Sequence, residues 1–144
     1  MEQSVFDNYL KDRFEKEVNW YDTKSLHNAK WAKIYQVVII ILSVLTPVFA
    51  ASGLKWQTLI SSVLLSIAVG ILKYYRFEEL WQNYRTTCET IKKEKILFDA
   101  RISPYDKSDD PMKMFITRVE SMISKENTAW VQTVTKKEKK ETKG

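Results

Sequence analysis

The chain has 144 residues, a formal net charge of +5, 28% charged and 44% hydrophobic side chains, and only three glycines, one cysteine and one histidine. This length sets one domain, a lone thiol excludes an internal disulfide, and one Cys with one His cannot assemble a metal site. With no Gly-rich phosphate loop, no paired carboxylates in a plausible pocket, no nucleophile elbow and no histidine base to serve Cys88, the chain is expected to be neither an enzyme nor a cofactor carrier.

The N-terminus, MEQSVFDNYLKDRFEKEV, is charged and mixed, without the short apolar run and small-residue cleavage site of a secretory signal. Residues 4–33 read as an amphipathic helix: Phe6, Leu10, Phe14, Val18 and Tyr21 recur at steps of four and three, with Lys11, Asp12, Glu15, Lys16 and Asp22 between them. Trp20 and Tyr21 are expected to pack against a partner helix. Nothing breaks the pattern before Ile34, so this helix is expected to run unbroken into the next segment.

Between Ile34 and Leu72 the only charged side chain is Lys55, beside Ser52 and Gly53. Residues 34–51 would make a helix about 27 Å long and residues 56–75 one about 30 Å long, against a bilayer hydrocarbon core of roughly 30 Å. Eleven of the first eighteen are Ile, Leu, Val or Phe, each favouring insertion by about 0.3–0.6 kcal/mol near the bilayer centre. The mean hydropathy of the whole chain, −0.34, reflects the polar flanks. A core helix of a soluble protein would need a polar stripe, and neither half has one. Two transmembrane helices joined by an external turn at residues 52–55 follow. Trp31 and Tyr35 anchor the start of the first, Trp56 marks the turn, and Tyr74 and Tyr75 close the second. Lys24, Lys30 and Lys33 precede the first span and Lys73, Arg76 and Arg85 follow the second, which places both termini in the cytoplasm.

Pro47 removes one backbone donor and predicts a bend, with the hydroxyls of Ser43 or Thr46 expected to satisfy the freed carbonyl of Ser43. In the second span Ser62, Ser66 and Gly70, four apart, put small groups on one face, suited to close helix packing. Ser43, Thr46, Ser62 and Ser66 are also the candidate lining of a water path between several copies. With no Asp, Glu, Arg or His within either span, a proton relay or a ring of side-chain charge is excluded.

Beyond Lys73 the helix is expected to continue through residues 76–102. Phe77, Trp81, Tyr84, Cys88, Ile91, Lys95, Phe98 and Ile102 alternate steps of four and three, a heptad seam interrupted at Lys95 that calls for a neighbouring helix within the chain or in another copy. A stop near Ser103 and Pro104 is followed by a third helix over 110–134, capped by Asp110 with Pro111 at its first position. Phe115, Val119, Met122, Ile123 and Trp130 line one side of it. Residues 135–144, including KKEKKETK, read as a disordered basic tail, and no specific nucleic-acid partner is expected. The fold class is all-α: an antiparallel two-helix transmembrane hairpin extended by a cytoplasmic three-helix bundle, residues 1–134 forming one domain.

WYD at Trp20–Asp22, a lysine-rich run into a proline-containing first span, a short turn, then Trp81, Tyr84, Arg85, Glu89, Glu94, Tyr105 and Glu126 ahead of Trp130 resemble the bacterial DUF4231 proteins, across roughly Leu10 to Trp130. That group is usually placed with the SLATT two-transmembrane effector domains. The resemblance implies a membrane effector of bacterial conflict or phage-defence systems, in the cell membrane, forming pores when a nucleotide-sensing partner is triggered. No sensor domain is attached here, so the sensor is expected to be a separate protein. Two functions from different classes follow: a homo-oligomeric, pore-forming or membrane-perturbing effector, and a passive anchor or scaffold that recruits a cytoplasmic partner.

Overall fold

A computed structural model of the chain describes the backbone of residues 2–141 and the side chains of residues 2–126 and 128. Among the described residues all regular structure is helical: α1 (Gln3–Tyr9), a π-helical turn (Leu10–Phe14), α2 (Glu15–Ala51), α3 (Lys55–Tyr75), α4 (Phe77–Asp99), a 3-10 turn (Tyr105–Lys107) and α5 (Pro111–Glu141).

The N-terminal helix is interrupted at Leu10–Phe14, where the periodicity predicts continuity. In an unbroken α-helix two positions eight apart are offset by about 80°. A π turn takes more residues per turn and removes most of that offset. Phe6 and Phe14 therefore both reach Phe115, at ring-centroid distances of 5.8 and 5.5 Å. The bulge serves the aromatic packing.

The other departures from helix sit at helix ends. Gly53, with φ +73°, closes α2: its N–H bonds Ala50 and that of Leu54 bonds Phe49, satisfying carbonyls the helix leaves open. Arg101, φ +51°, repeats this arrangement after α4, with bonds from Arg101 to Phe98 and from Ile102 to Leu97. Arg76, φ +50°, ends α3 through a single bond from its N–H to Leu72, and α4 starts at once, its first bond running from Leu80 to the carbonyl of Arg76. The sequence predicts a continuous helix here because it offers no Gly or Pro. A left-handed arginine breaks it instead, in a conformation that costs a residue with a Cβ about 1–2 kcal/mol. Asp110 caps α5 as its position suggests, accepting from the Lys113 N–H at 3.1 Å. Helix α5 extends to Glu141, seven residues into the stretch that composition assigns to a disordered tail; residues 142–144 lie outside the described residues.

The contacts divide the chain into two compact units, Met1–Tyr21 with Arg85–Gly144, and Asp22–Tyr84. The first is built on aromatic rings. Phe98 lies 5.0 Å from both Phe6 and Phe115 and 5.5 Å from Tyr105, and Cys88, Ile91, Val119 and Ile123 are buried beside them. Such ring pairs each contribute about 0.5–1.5 kcal/mol beyond the apolar area they bury. In the second unit α2 and α3 are joined by a three-residue turn. Its buried positions are small or polar: Ser25, Asn28 and Ala32 on α2, Ser61 and Ala68 on α3.

Candidate functional site

Two helices are long and apolar enough to cross a membrane, Gln3–Ala51 and Lys55–Asp99, and no residue in the most apolar eighteen-residue window of the first is buried. Val37, Ile40, Val44, Val48, Leu59, Ile60, Val63 and Ile67 all stand exposed. A continuous apolar face of this kind exceeds the scattered apolar exposure of ordinary soluble surfaces.

The hydroxyls within this surface are satisfied locally. Ser43 donates to the carbonyl of Ile39 at 2.7 Å, Ser62 to Leu59 at 2.8 Å and Ser66 to Ser62 at 3.0 Å. Thr46 bonds the carbonyl of Leu42 and meets the Ser61 hydroxyl at 3.0 Å, between α2 and α3. Neither Ser43 nor Thr46 turns to the carbonyl freed by Pro47, as the sequence suggests; each bonds the carbonyl four residues before it. Pro47 itself is exposed and lies inside a helix that continues past it. Thr46 faces α3, while Ser43, Ser62 and Ser66 bond only along their own helices. Ser61 and Ala68 are the buried positions of α3, and Ser61 meets Thr46 of α2; Gly70 is exposed, and a Cβ added there would meet nothing within 4 Å.

The expected anchors form a continuous line of rings. Going from α2 to α3, His27 contacts Trp31 (6.3 Å), Trp31 contacts Tyr35 (6.0 Å), Tyr35 stacks on Phe77 (5.9 Å), Phe77 on Tyr75 (5.3 Å), and Tyr75 meets Tyr74 edge-on (5.2 Å). Trp56, at the opposite end of α3, is exposed.

In the other unit the notable chemistry is a pair of matching polar clusters. Glu94, buried on α4, accepts from the Tyr105 hydroxyl and from both Nε and Nη2 of Arg118 on α5. Glu120 on α5 accepts from the Tyr9 hydroxyl at 2.9 Å and from Nε and Nη2 of Arg13 at 3.2 and 3.3 Å. Each carboxylate thus holds one phenol and one bidentate guanidinium, the strongest class of neutral-pH side-chain pairing. Burial pushes both carboxyls up, but the hydrogen bonds from arginine and tyrosine outweigh it and hold Glu94 and Glu120 below the usual glutamate range. Burial, reinforced by the neighbouring carboxylate, raises the phenols of Tyr9 and Tyr105. A third bond joins the Tyr21 hydroxyl to Glu126 at 3.1 Å. These groups are mutually satisfied, an arrangement suited to fixing helices rather than to moving protons.

The remaining packing candidates are placed as follows. Tyr21, Cys88 and Ile91 are buried, Phe98, Phe77, Trp81 and Tyr84 are partly buried, and Trp20 is 46% exposed with its ring edge-on to Tyr21. The Cys88 thiol lies 3.7 Å from the carbonyl of Val18. Cys88, Ile91 and Phe98 are covered by the chain's own residues, so this part of the seam is filled within one copy. Ile102, by contrast, is exposed. The Trp130 side chain lies outside the described residues. Periodicity did not single out Arg13, Tyr9, Arg118 or Glu120, because polar residues carry no helical-face signal.

The family model described as "Protein of unknown function (DUF4231)" matches residues 16–113. The chain belongs to the DUF4231 family. The match runs from the start of α2 to the first residues of α5 and includes both apolar helices and the Glu94–Tyr105 pair. No curated protein and no solved structure matches this DUF4231 chain. Four of the scattered residues that carry the DUF4231 resemblance bond one another: Glu94 with Tyr105, and Tyr21 with Glu126. Within this chain that part of the pattern is structural.

Proposed function

We propose that this protein resides in the bacterial cell membrane, with α2 and α3 spanning the bilayer as a hairpin and both termini cytoplasmic, and that it acts there as an oligomeric, membrane-perturbing effector. The observation that carries the membrane reading is the largely unburied apolar stretch from Ile34 to Leu72, whose one charged side chain is Lys55 at the turn. Back-bonded serines cross lipid without unsatisfied donors, in keeping with that reading. The effector role rests on the likeness of the family to the SLATT domains, with a separate nucleotide-sensing protein as the trigger. Copies would meet at the open face of Ser62, Ser66 and Gly70, where small side chains allow close approach in lipid. Because Thr46 is engaged by Ser61, any path between copies is lined by residues of this outer face and not by Thr46.

The second reading, a passive anchor whose cytoplasmic helices recruit a partner, is favoured by the seam: Cys88, Ile91 and Phe98 are covered within one chain and are not free to join copies. Expression in cells loaded with a membrane-potential dye, together with the neighbouring sensor protein, separates the two. The effector reading expects depolarisation and growth arrest. Normal potential and growth with the protein present in the membrane leave the anchor.

A further inference from the structure

From Thr23 to Phe77 the chain contains no Asp or Glu, yet it carries Lys24, Lys30, Lys33, Lys73 and Arg76 near one end of the α2–α3 pair and only Lys55 at the other. Lys24, Lys30, Lys33 and Lys73 are exposed, and among the described residues none has a carboxylate within ion-pair distance. Arg76 differs, its guanidinium being held by Glu79. Elsewhere many bases are matched: Arg13 with Glu17 and Glu120, Arg85 with Glu89, Lys95 with Asp99, and Arg118 with Glu94. The unmatched lysines flank the line of rings from His27 to Tyr74, lying within two turns of helix of it on α2 and α3. Tyr74 is 75% exposed and Tyr75 54% exposed, so the rings at the α3 end are open to an outside partner.

We infer that this collar, Lys30, Lys33 and Lys73 beside the exposed rings of Trp31, Tyr74 and Tyr75, binds the phosphate headgroups of anionic phospholipids in the cytoplasmic leaflet. The inference rests on the membrane reading above and adds a lipid class to it. Three observations single out this occupant. Aromatic side chains with a polar tip settle at the depth of headgroups. Long lysine side chains extend from an apolar helix to that same depth. An unneutralised cationic collar has no partner in its own unit, and an anionic leaflet supplies one. A protein partner would need the collar to stand clear of lipid, whereas the exposed Ile34 next to Lys33 continues directly into the apolar surface.

The test uses the full chain reconstituted in phosphatidylcholine vesicles containing a minor share of phosphatidylglycerol. Association of spin-labelled phosphatidylglycerol and spin-labelled phosphatidylcholine is compared by the motionally restricted component of their spectra. The native chain is expected to favour phosphatidylglycerol severalfold, an attraction near the surface of about fivefold per lysine being the upper scale. High ionic strength, and the triple substitution Lys30→Gln, Lys33→Gln and Lys73→Gln, are each expected to bring the ratio toward one, while Lys55→Gln leaves it unchanged. Equal association of the two lipids overturns the inference, as does a preference that survives the triple substitution, which would move the attraction to the basic stretch Lys136–Lys143. Absence of restricted lipid of either kind is a different failure, because it removes the membrane reading itself.

Discussion

In Asp22–Tyr84 many large aliphatic side chains face outward and most hydroxyls bond their own helices, whereas among the described residues of Met1–Tyr21 and Arg85–Gly144 the rings of Phe6, Phe14, Tyr21, Tyr105 and Phe115 are buried, and Glu94 and Glu120 bond arginines on other segments. The first arrangement suits the apolar surroundings proposed for it; the second joins one helix to another through packed rings and ion pairs. The same helix type serves both because the outward face, not the backbone, is matched to the solvent.

The comparison can be broken most strongly at the aromatic core. Phe115 is fully buried and touches four rings. Phe115→Ala is expected to destabilise that unit by about 3–5 kcal/mol, seen as lost hydrogen-exchange protection in α4 and α5 while α3 keeps its own. Equal loss in α3 would mean that the two units are not energetically distinct.

Removing the arginine from a polar cluster should come next. Arg118→Ala leaves the buried Glu94 carboxylate with only Tyr105, at an expected cost of about 1–3 kcal/mol, and Glu94→Gln in the same chain should recover part of it. Acid has a related effect. Glu94 and Glu120 have lowered folded-state values, so their contribution is present above the ordinary glutamate range and is lost as pH falls through the folded values. Protection of this unit should decline below the usual carboxylate range, and a Glu94→Gln, Glu120→Gln chain should show a flatter acid limb. An identical acid limb in the two chains would assign the effect to other groups.

Arg76→Gly probes the one strained joint of the other unit. Glycine adopts positive φ freely, so the substitution should stabilise the break between α3 and α4 by up to about 1 kcal/mol, read as a higher melting temperature in detergent. A lower melting temperature would show that the Arg76–Glu79 contact contributes more than the strain removes. The smallest effect belongs to Thr46→Val, which deletes the hydroxyl contact to Ser61. A loss of about 0.6 kcal/mol is expected, the average for interhelical hydrogen bonds in lipid, and a much larger one would make this contact the main lock between α2 and α3.

Much of this was legible in the residues. Two long apolar helices, the Asp110 cap and the burial of Tyr21, Cys88 and Ile91 follow from hydropathy, capping grammar and periodicity, and the turn expected at residues 52–55 is one residue shorter because α3 begins at Lys55. The π turn was not, because the pattern at Leu10 and Phe14 fits an α-helix and only the third partner, Phe115, makes realignment favourable. Nor was the break at Arg76, where every residue is an ordinary helix former. Ser62, Ser66 and Gly70 mark a packing face, within the hairpin or between copies, and within this chain Thr46 and Ser61 are the hydroxyls that meet between α2 and α3. Spacing identifies a face without saying which neighbour it meets. Of the tyrosine, glutamate and arginine clusters, Tyr21, Glu94, Tyr105 and Glu126 were visible as scattered family residues, whereas Tyr9, Arg13, Arg118 and Glu120 were not, since the pairing of Tyr9 with Glu120 spans more than a hundred positions.

The most direct test of the central claim is the sidedness of the turn. Cys88 is buried, giving a native chain with little background labelling. With Ser52→Cys or Thr23→Cys introduced singly, intact cells are treated with a membrane-impermeant maleimide and then compared with permeabilised cells. The account predicts that Ser52→Cys labels in intact cells and that Thr23→Cys labels only after permeabilisation. Labelling of both positions only after permeabilisation, with the protein released by an alkaline carbonate wash, would contradict it.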